Sequence, residues 1–390
     1  MRKLIVLAGL VCLLAASAIC QEPKKAAAKS PAQGKVRMYY VAADEVEWDY
    51  APDGVDHMTG DKFDARSRIW IEQGPHRIGK VYRKAIYREY TDATFTKLKP
   101  RAPEWEHAGI LGPILRGEVG DTLRILFKNN ASQPYTMHPH GVFYMKSSEG
   151  APYADGTSGN DKKDDGVPPG GTHTYVWEVP ERAGPGPADP SSLVWLYHSH
   201  HNEPKDVNAG LVGAILITRR GMADADGKPK DVDREFIGLF MVFDENQSWY
   251  IDHNIRAYCS DPKGVNRGEF SPVDIDGNSS PFIGGGFAAV NHKFTINGRL
   301  FGNLPMMTMR KGQRVRWYLL ALGDGFNFHS PHWHGNVVNQ RGRRTDVLSL
   351  MPAEMETVDM IADNVGVWMF HCHVSDHLEA GMHAHFEIKP

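Results

Sequence analysis

Paired histidines recur at matching places in the two halves of this chain, and few folds accommodate that pattern. The first half carries His138-Pro-His140-Gly141 and, later, His198-Ser199-His200. The second half carries His332-Trp-His334-Gly335 and, later, His371-Cys372-His373. A fifth pair, His383 and His385, lies close to the end. With 19 His in 390 residues, chance alone gives about one such pair. Side chains at i and i+2 of a strand leave the same face. Each pair therefore aims two imidazoles at one place, where they can hold one metal or two adjacent metals. Neutral imidazole suits copper, zinc and iron.

The sequence around the pairs is duplicated as well. Leu111-Gly-Pro-Ile and Arg116-Gly-Glu-Val precede the first pair, as Asn303-Leu-Pro and Arg310-Lys-Gly-Gln precede the third. Trp195-Leu-Tyr-His198 matches Trp368-Met-Phe-His371. Short runs rich in Val, Ile, Tyr, Phe and Trp predict strands at Val36–Val41, Thr122–Phe127, Thr174–Val179 and Leu211–Ile217. A second set is predicted at Phe236–Phe243, Arg314–Leu320, Val365–Phe370 and Met382–Ile388. The 25 Pro and 39 Gly supply the turns of an all-β fold, and no long amphipathic helix pattern interrupts them. The expectation is two tandem Greek-key β-sandwich domains, residues 36–220 and 236–390, joined by the polar stretch at 221–235.

Residues 1–20 read as a signal peptide: Arg2 and Lys3, an apolar run from Leu4 to Leu14, then Ala15, Ala16, Ser17 and Ala18. Cleavage would fall after Ala18 or Cys20. A lipidated Cys20 is the alternative, opposed by the bulk of Ile19. Residues 21–35 read as a disordered tether, with Ala26–Gly34 at its centre. The expected location is secreted or periplasmic, with no transmembrane segment. A net charge of -3 gives no basic field for nucleic acid. Past the leader only Cys259 and Cys372 remain, enough for one disulfide at most.

The most specific signal is His371-Cys372-His373-x3-His377-x4-Met382. One Cys, two His and a weak axial Met are the donors of a blue copper site, and His329 is the candidate for the second His. His371 and His373 flank Cys372 and point to the opposite face, so one strand joins two metal sites. The segments His138-Pro-His140-Gly, His198-Ser-His200, His329-x2-His332-x-His334 and His371-Cys-His-x3-His-x4-Met resemble the four copper motifs of multicopper oxidases. Tyr39-Tyr-Val-Ala-Ala-Asp-Glu-Val-Glu-Trp-Asp-Tyr-Ala-Pro, Tyr87-Arg-Glu-Tyr-Thr-Asp-Ala-Thr-Phe, Gly109-Ile-Leu-Gly-Pro and Val242-Phe-Asp-Glu-Asn are similar to ceruloplasmin and hephaestin.

The resemblance implies cupredoxin-like domains and four coppers per chain. It makes His329, Cys372, His377 and Met382 the type 1 ligands, and His138 and His332 the type 2 ligands. His140, His198, His200, His334, His371 and His373 become the ligands of the type 3 pair. Cys372, His371, His373 and His377 would then carry catalysis. The first domain departs from the pattern: Tyr135, Ser199 and Pro204 stand where His329, Cys372 and His377 would, with Ala209 or Leu211 at the Met position. It is expected to hold no blue copper. The resemblance also implies a ring of six domains, which a two-domain chain completes as a homotrimer. An intrachain cluster is the competing arrangement.

The implied activity is one-electron oxidation of phenols or aromatic amines, laccase-like, coupled to reduction of dioxygen to water. The alternative is a ferroxidase or cuprous oxidase, with Asp376 and Glu379 beside His377 as a substrate edge; solvated loop carboxylates are the plainer reading of that pair. Copper nitrite reductase is a remote alternative, since that class keeps its blue site in the first domain. A non-enzymatic copper carrier would not need the complete histidine set. His383 and His385 read as ordinary strand residues, His201 as a surface residue and Cys259 as an unpaired thiol. Met306, Met307, Met309, Met351 and Met355 read as core rather than as a cuprous site.

Overall fold

The computed structural model describes residues 34–390 apart from 270–271, 276–277 and 285, with backbone alone for the rest of 270–285. The leader and all but the last residues of the tether lie outside the described residues. The others form one compact unit, Gly34–Pro390.

Each half is a pair of sheets closed over an apolar core. In the first, Val36–Asp49 pairs antiparallel with Val81–Glu89 and parallel with Thr122–Asn129. Thr172–Glu178 and Phe143–Tyr144 complete that sheet. The other sheet runs Ile114–Glu118, Val212–Thr218, Ser192–His198, His138–Pro139. Inward residues of the two, among them Leu123, Ile125, Phe127 and Trp177 from one and Leu115, Tyr197 and Ile215 from the other, bury together. Alternation of apolar and polar positions puts them there: Thr122–Asn129 alternates half-buried or exposed residues with buried ones.

The second half repeats the plan of the first, with one more strand in its larger sheet and an added two-stranded sheet. Arg234–Asp244 pairs parallel with Arg314–Ala321, which pairs antiparallel with Met355–Ile361, as Thr122–Asn129 does with Thr172–Glu178. Met307–Arg310, His383–Lys389, Gly366–Cys372 and Pro331–Trp333 form its second sheet in the order of the first half's counterpart. All eight predicted strands are present. Helices are short, the longest being Ile251–Tyr258. Among the described residues no helix is long and apolar enough to cross a membrane.

The halves share one core, in which Val194, Leu196, Val212 and Leu216 join Phe236, Leu239, Trp317 and Leu319. Polar groups lock the seam. Arg116 is bidentate to Glu235 at 3.2 and 2.8 Å, Tyr318 donates to Glu235 at 2.8 Å, and Arg316 reaches the hydroxyls of Ser191 and Ser192 at 2.7 Å. Buried charges of this kind persist only when paired. The histidine-bearing sheets of the two halves are therefore held in a fixed relation within the chain.

Candidate metal centre

The end of strand Gly366–Cys372 and the short helix after it, Ser375–Glu379, bring together Cys372, His377 and, from the preceding loop, His329. Cys372 Sγ lies 3.9 Å from His329 Nδ1 and 3.6 Å from His377 Nδ1, and the two nitrogens lie 3.2 Å apart. Three donors at these spacings surround a point about 2 Å from each, the bond length of a first-row metal to nitrogen or sulfur. All three residues are buried. Met382 is fully buried, and its carbonyl accepts from Cys372 N at 3.1 Å. Phe294 and Phe240 pack on the two imidazoles. Burial lowers His377 to about 4 and His329 well below the usual histidine range, so both stay neutral, as a ligand must. Burial pushes the Cys372 thiol up to about 11. Its proton must leave for a metal to bind, and Ser330 N, 3.3 Å from Sγ, donates toward the sulfur. A thiolate with two neutral imidazoles fits copper.

One residue either side of Cys372, the chain turns His371 and His373 to the other face. There His371 Nε2 lies 2.9 Å from His334 Nε2 and 3.1 Å from His332 Nδ1. His373 completes the group with its ring 5.2 Å from that of His332. The first half builds the same arrangement. His140 Nε2 is 3.2 Å from His198 Nε2, and His138 stacks edge-on 5.0 Å from His200. Register explains the match, since His138 pairs with His198 as His332 pairs with His371. Desolvation lowers His140 and His371 to about 4. Among the described residues no hydrogen bond or ring contact joins the two quartets.

The glycine after each leading pair has a reason of its own. Gly141 and Gly335 adopt φ of +72° and +63°, and a Cβ on either would come within 2.1 Å of Trp195 or 2.5 Å of Trp368. Each tryptophan lies three residues before a cluster histidine and fills the space a side chain would need.

Among the described residues the first half has no cysteine. Ser199 N donates to Leu211 O as Cys372 N does to Met382 O, which makes Leu211 the counterpart of the axial Met. Ser199 Oγ donates to Asp206 Oδ2 at 2.7 Å, and Tyr135 OH meets Tyr250 OH at 3.1 Å. Asp206, whose carboxyl burial raises above its usual range, was not foreseen from sequence, and neither was Asn327, 3.3 Å from His329 Nε2. Neither belongs to a spacing pattern that marks it. Of the residues set aside, Asp376 and Glu379 flank His377 on its helix, and Glu379 pairs with Arg66 at 3.7 Å. His201 reaches Asp165 O at 2.8 Å. Met307 and Met309 are buried, whereas Met306 and Met351 are exposed.

Family models described as multicopper oxidase match residues 106–221 and 279–390, together more than half of the chain. Ferroxidase HEPHL1 of Homo sapiens is 45% identical over 355 residues, covering 90% of this chain and 29% of that protein. Ceruloplasmin of Homo sapiens is 38% identical over 360 residues, covering 92% and 32%. The chain thus spans about a third of the length of these relatives. The solved structure of Blue Copper Oxidase from Nitrosomonas europaea aligns with a TM-score of 0.55 at 18% identity, covering 91% of this chain and 86% of that one, and shares its cupredoxin-like fold. Two matching family models, one on each half, together with a duplicated two-sheet fold, make this chain a member of the multicopper oxidase family.

Proposed function

We propose that the chain is a copper-dependent oxidase that takes single electrons from a small reducing substrate and reduces dioxygen to water. The observation that carries it is Cys372, whose two sequence neighbours belong to the second donor set while its own sulfur belongs to the first. The proposed ligands are His329, Cys372, His377 and Met382 for type 1 copper, and His138 and His332 for type 2. His140, His198, His200, His334, His371 and His373 are proposed for the type 3 pair, four coppers per chain. Copper at the first set would accept electrons singly, and copper at the histidines would pass four of them to dioxygen. The protein holds the imidazoles of His329 and His377 neutral by burial, places an N–H against the sulfur, and links both sets through three consecutive residues.

Each complete histidine set would join the first half of one chain to the second half of the next, in a homotrimer. Supporting this, exposed apolar residues border both half-sets: Met145, which follows the Tyr144 ring against His138, and Val347, which bridges His332. The apolar run Leu4–Leu14 supports export from the cytoplasm.

Two reductants fit. A metal ion, ferrous or cuprous, is supported by the ferroxidase name of a relative and by Asp376 and Glu379 beside His377. Phenols or aromatic amines are supported by Phe328 and Met351, which are exposed and adjoin His329 and its bridge partner Leu350. Oxygen uptake by the copper-loaded protein, with ferrous iron, cuprous ion and a methoxyphenol in parallel, separates them. Uptake with metal alone assigns a metallo-oxidase, and Asp376→Asn with Glu379→Gln should then lower it about tenfold or more. Uptake with the phenol alone assigns the laccase-like reaction. No uptake with any reductant rejects the oxidase reading.

A further inference from the structure

The last histidine pair remains outside every set so far described. His383 is 2% exposed, and neither ring nitrogen has a hydrogen-bond partner. A buried imidazole without partners is costly and needs an explanation. Its Nε2 lies 3.7 Å from Asp56 Oδ1, too long for a hydrogen bond. Two donors on one tetrahedral ion with bonds of about 2.0 Å stand about 3.3 Å apart, close to what is seen. His57 follows Asp56 and is 38% exposed, its Nε2 2.8 Å from Asp53 Oδ2. The His385 ring lies 6.2 Å from that of His383. A Cβ built at Gly302 would come 2.7 Å from His57 Cβ and 3.3 Å from the His385 ring, so both residues approach the same glycine. Backbone bonds hold the loop in place: His57 N donates to Phe301 O at 3.0 Å, and Gly302 N to His383 O at 3.1 Å.

We propose that His383 and Asp56 are the core of a further metal site, completed when His57 turns from Asp53, with His385 at the rim, and that it takes a borderline divalent cation, zinc or cupric copper. Imidazole with carboxylate is the donor set such ions prefer, and the exposed edge of His57 gives a path of entry. The ion would tie the loop at 53–57, from the first half, to the terminal strand of the second. None of its donors belongs to the copper sets proposed above, so the two readings stand or fall separately.

The test uses copper-loaded full-length protein titrated with zinc chloride, with metal counted after removal of free ions. Wild type should retain one zinc per chain beyond its copper and show zinc bound to imidazole nitrogen in X-ray absorption. The loop variant Asp56→Asn/His57→Ala should bind zinc at least tenfold more weakly while keeping the copper count and blue absorption of wild type. Zinc should raise the melting temperature of wild type and leave that of the variant unchanged. Cys372→Ser protein should take up the same zinc, which separates this site from the copper reading. No zinc beyond the copper load, or equal uptake by wild type and the loop variant, would overturn the proposal.

Discussion

Cys372 concentrates the chemistry of the chain in one side chain. Burial keeps its thiol protonated to about 11 in the metal-free protein, while the imidazoles around it stay neutral. Cys372→Ser keeps the shape and removes the soft donor. Blue absorption and turnover should vanish, and copper should fall from about four to about three per chain, read by absorption spectroscopy and metal analysis. Turnover that survives the substitution would refute the proposed electron path. The donor residues were legible in sequence because period-two spacing on strands places them without long-range knowledge. The sealing of the first half's vacant site was not. Asp206 meets Ser199 across a short helix, Glu203–Ala209, that no apolar periodicity announces.

At the scale of elements, the strands were readable from β-branched and aromatic runs, and their lengths were not. Val36–Asp49 extends eight residues past the Val36–Val41 run, through Asp44, Glu45, Glu47 and Asp49, which break the apolar pattern. The partner strand supplies what those residues lack, with Arg83 bonded to Glu47 at 2.9 Å and Tyr90 OH to Asp44 at 2.8 Å. Cross-strand pairing, invisible to local pattern, decides such cases. Val81–Glu89 also carries Lys84, wholly buried and paired with Glu245 at the end of Arg234–Asp244. Glu245 further accepts from Tyr50 OH at 2.5 Å. Lys84→Ala strands a buried carboxylate and should cost about 3–5 kcal/mol. Lys84→Met with Glu245→Leu should recover most of that loss in urea denaturation of the loaded protein, and equal losses for single and double variants would show that the pair is not the fastening.

For the whole molecule, the duplicated fold was foreseen, but the shared core and the polar seam that fuse the halves were not, since both depend on contacts distant in sequence. That fusion fixes the angle between the two half-sets. Light scattering of the loaded protein should report a trimer, and conditions that dissociate it should abolish oxygen uptake in step. A monomer with full activity would exclude the shared cluster. His200→Ala in one preparation and His373→Ala in another should each be inactive, and mixed refolding should restore part of the activity through junctions that pair two intact half-sets.

Two half-sets from different halves of one compact unit would also give the molecule a direction. Each copy would present a front that fits only the back of another, so nothing in the contact itself limits how many copies can queue. Closure then rests on the angle set by the Arg116–Glu235 pair and the bonds of Arg316 to Ser191 and Ser192. A few degrees of error there would turn a ring into an open spiral, and a loosened seam would register as filaments before it registers as unfolding.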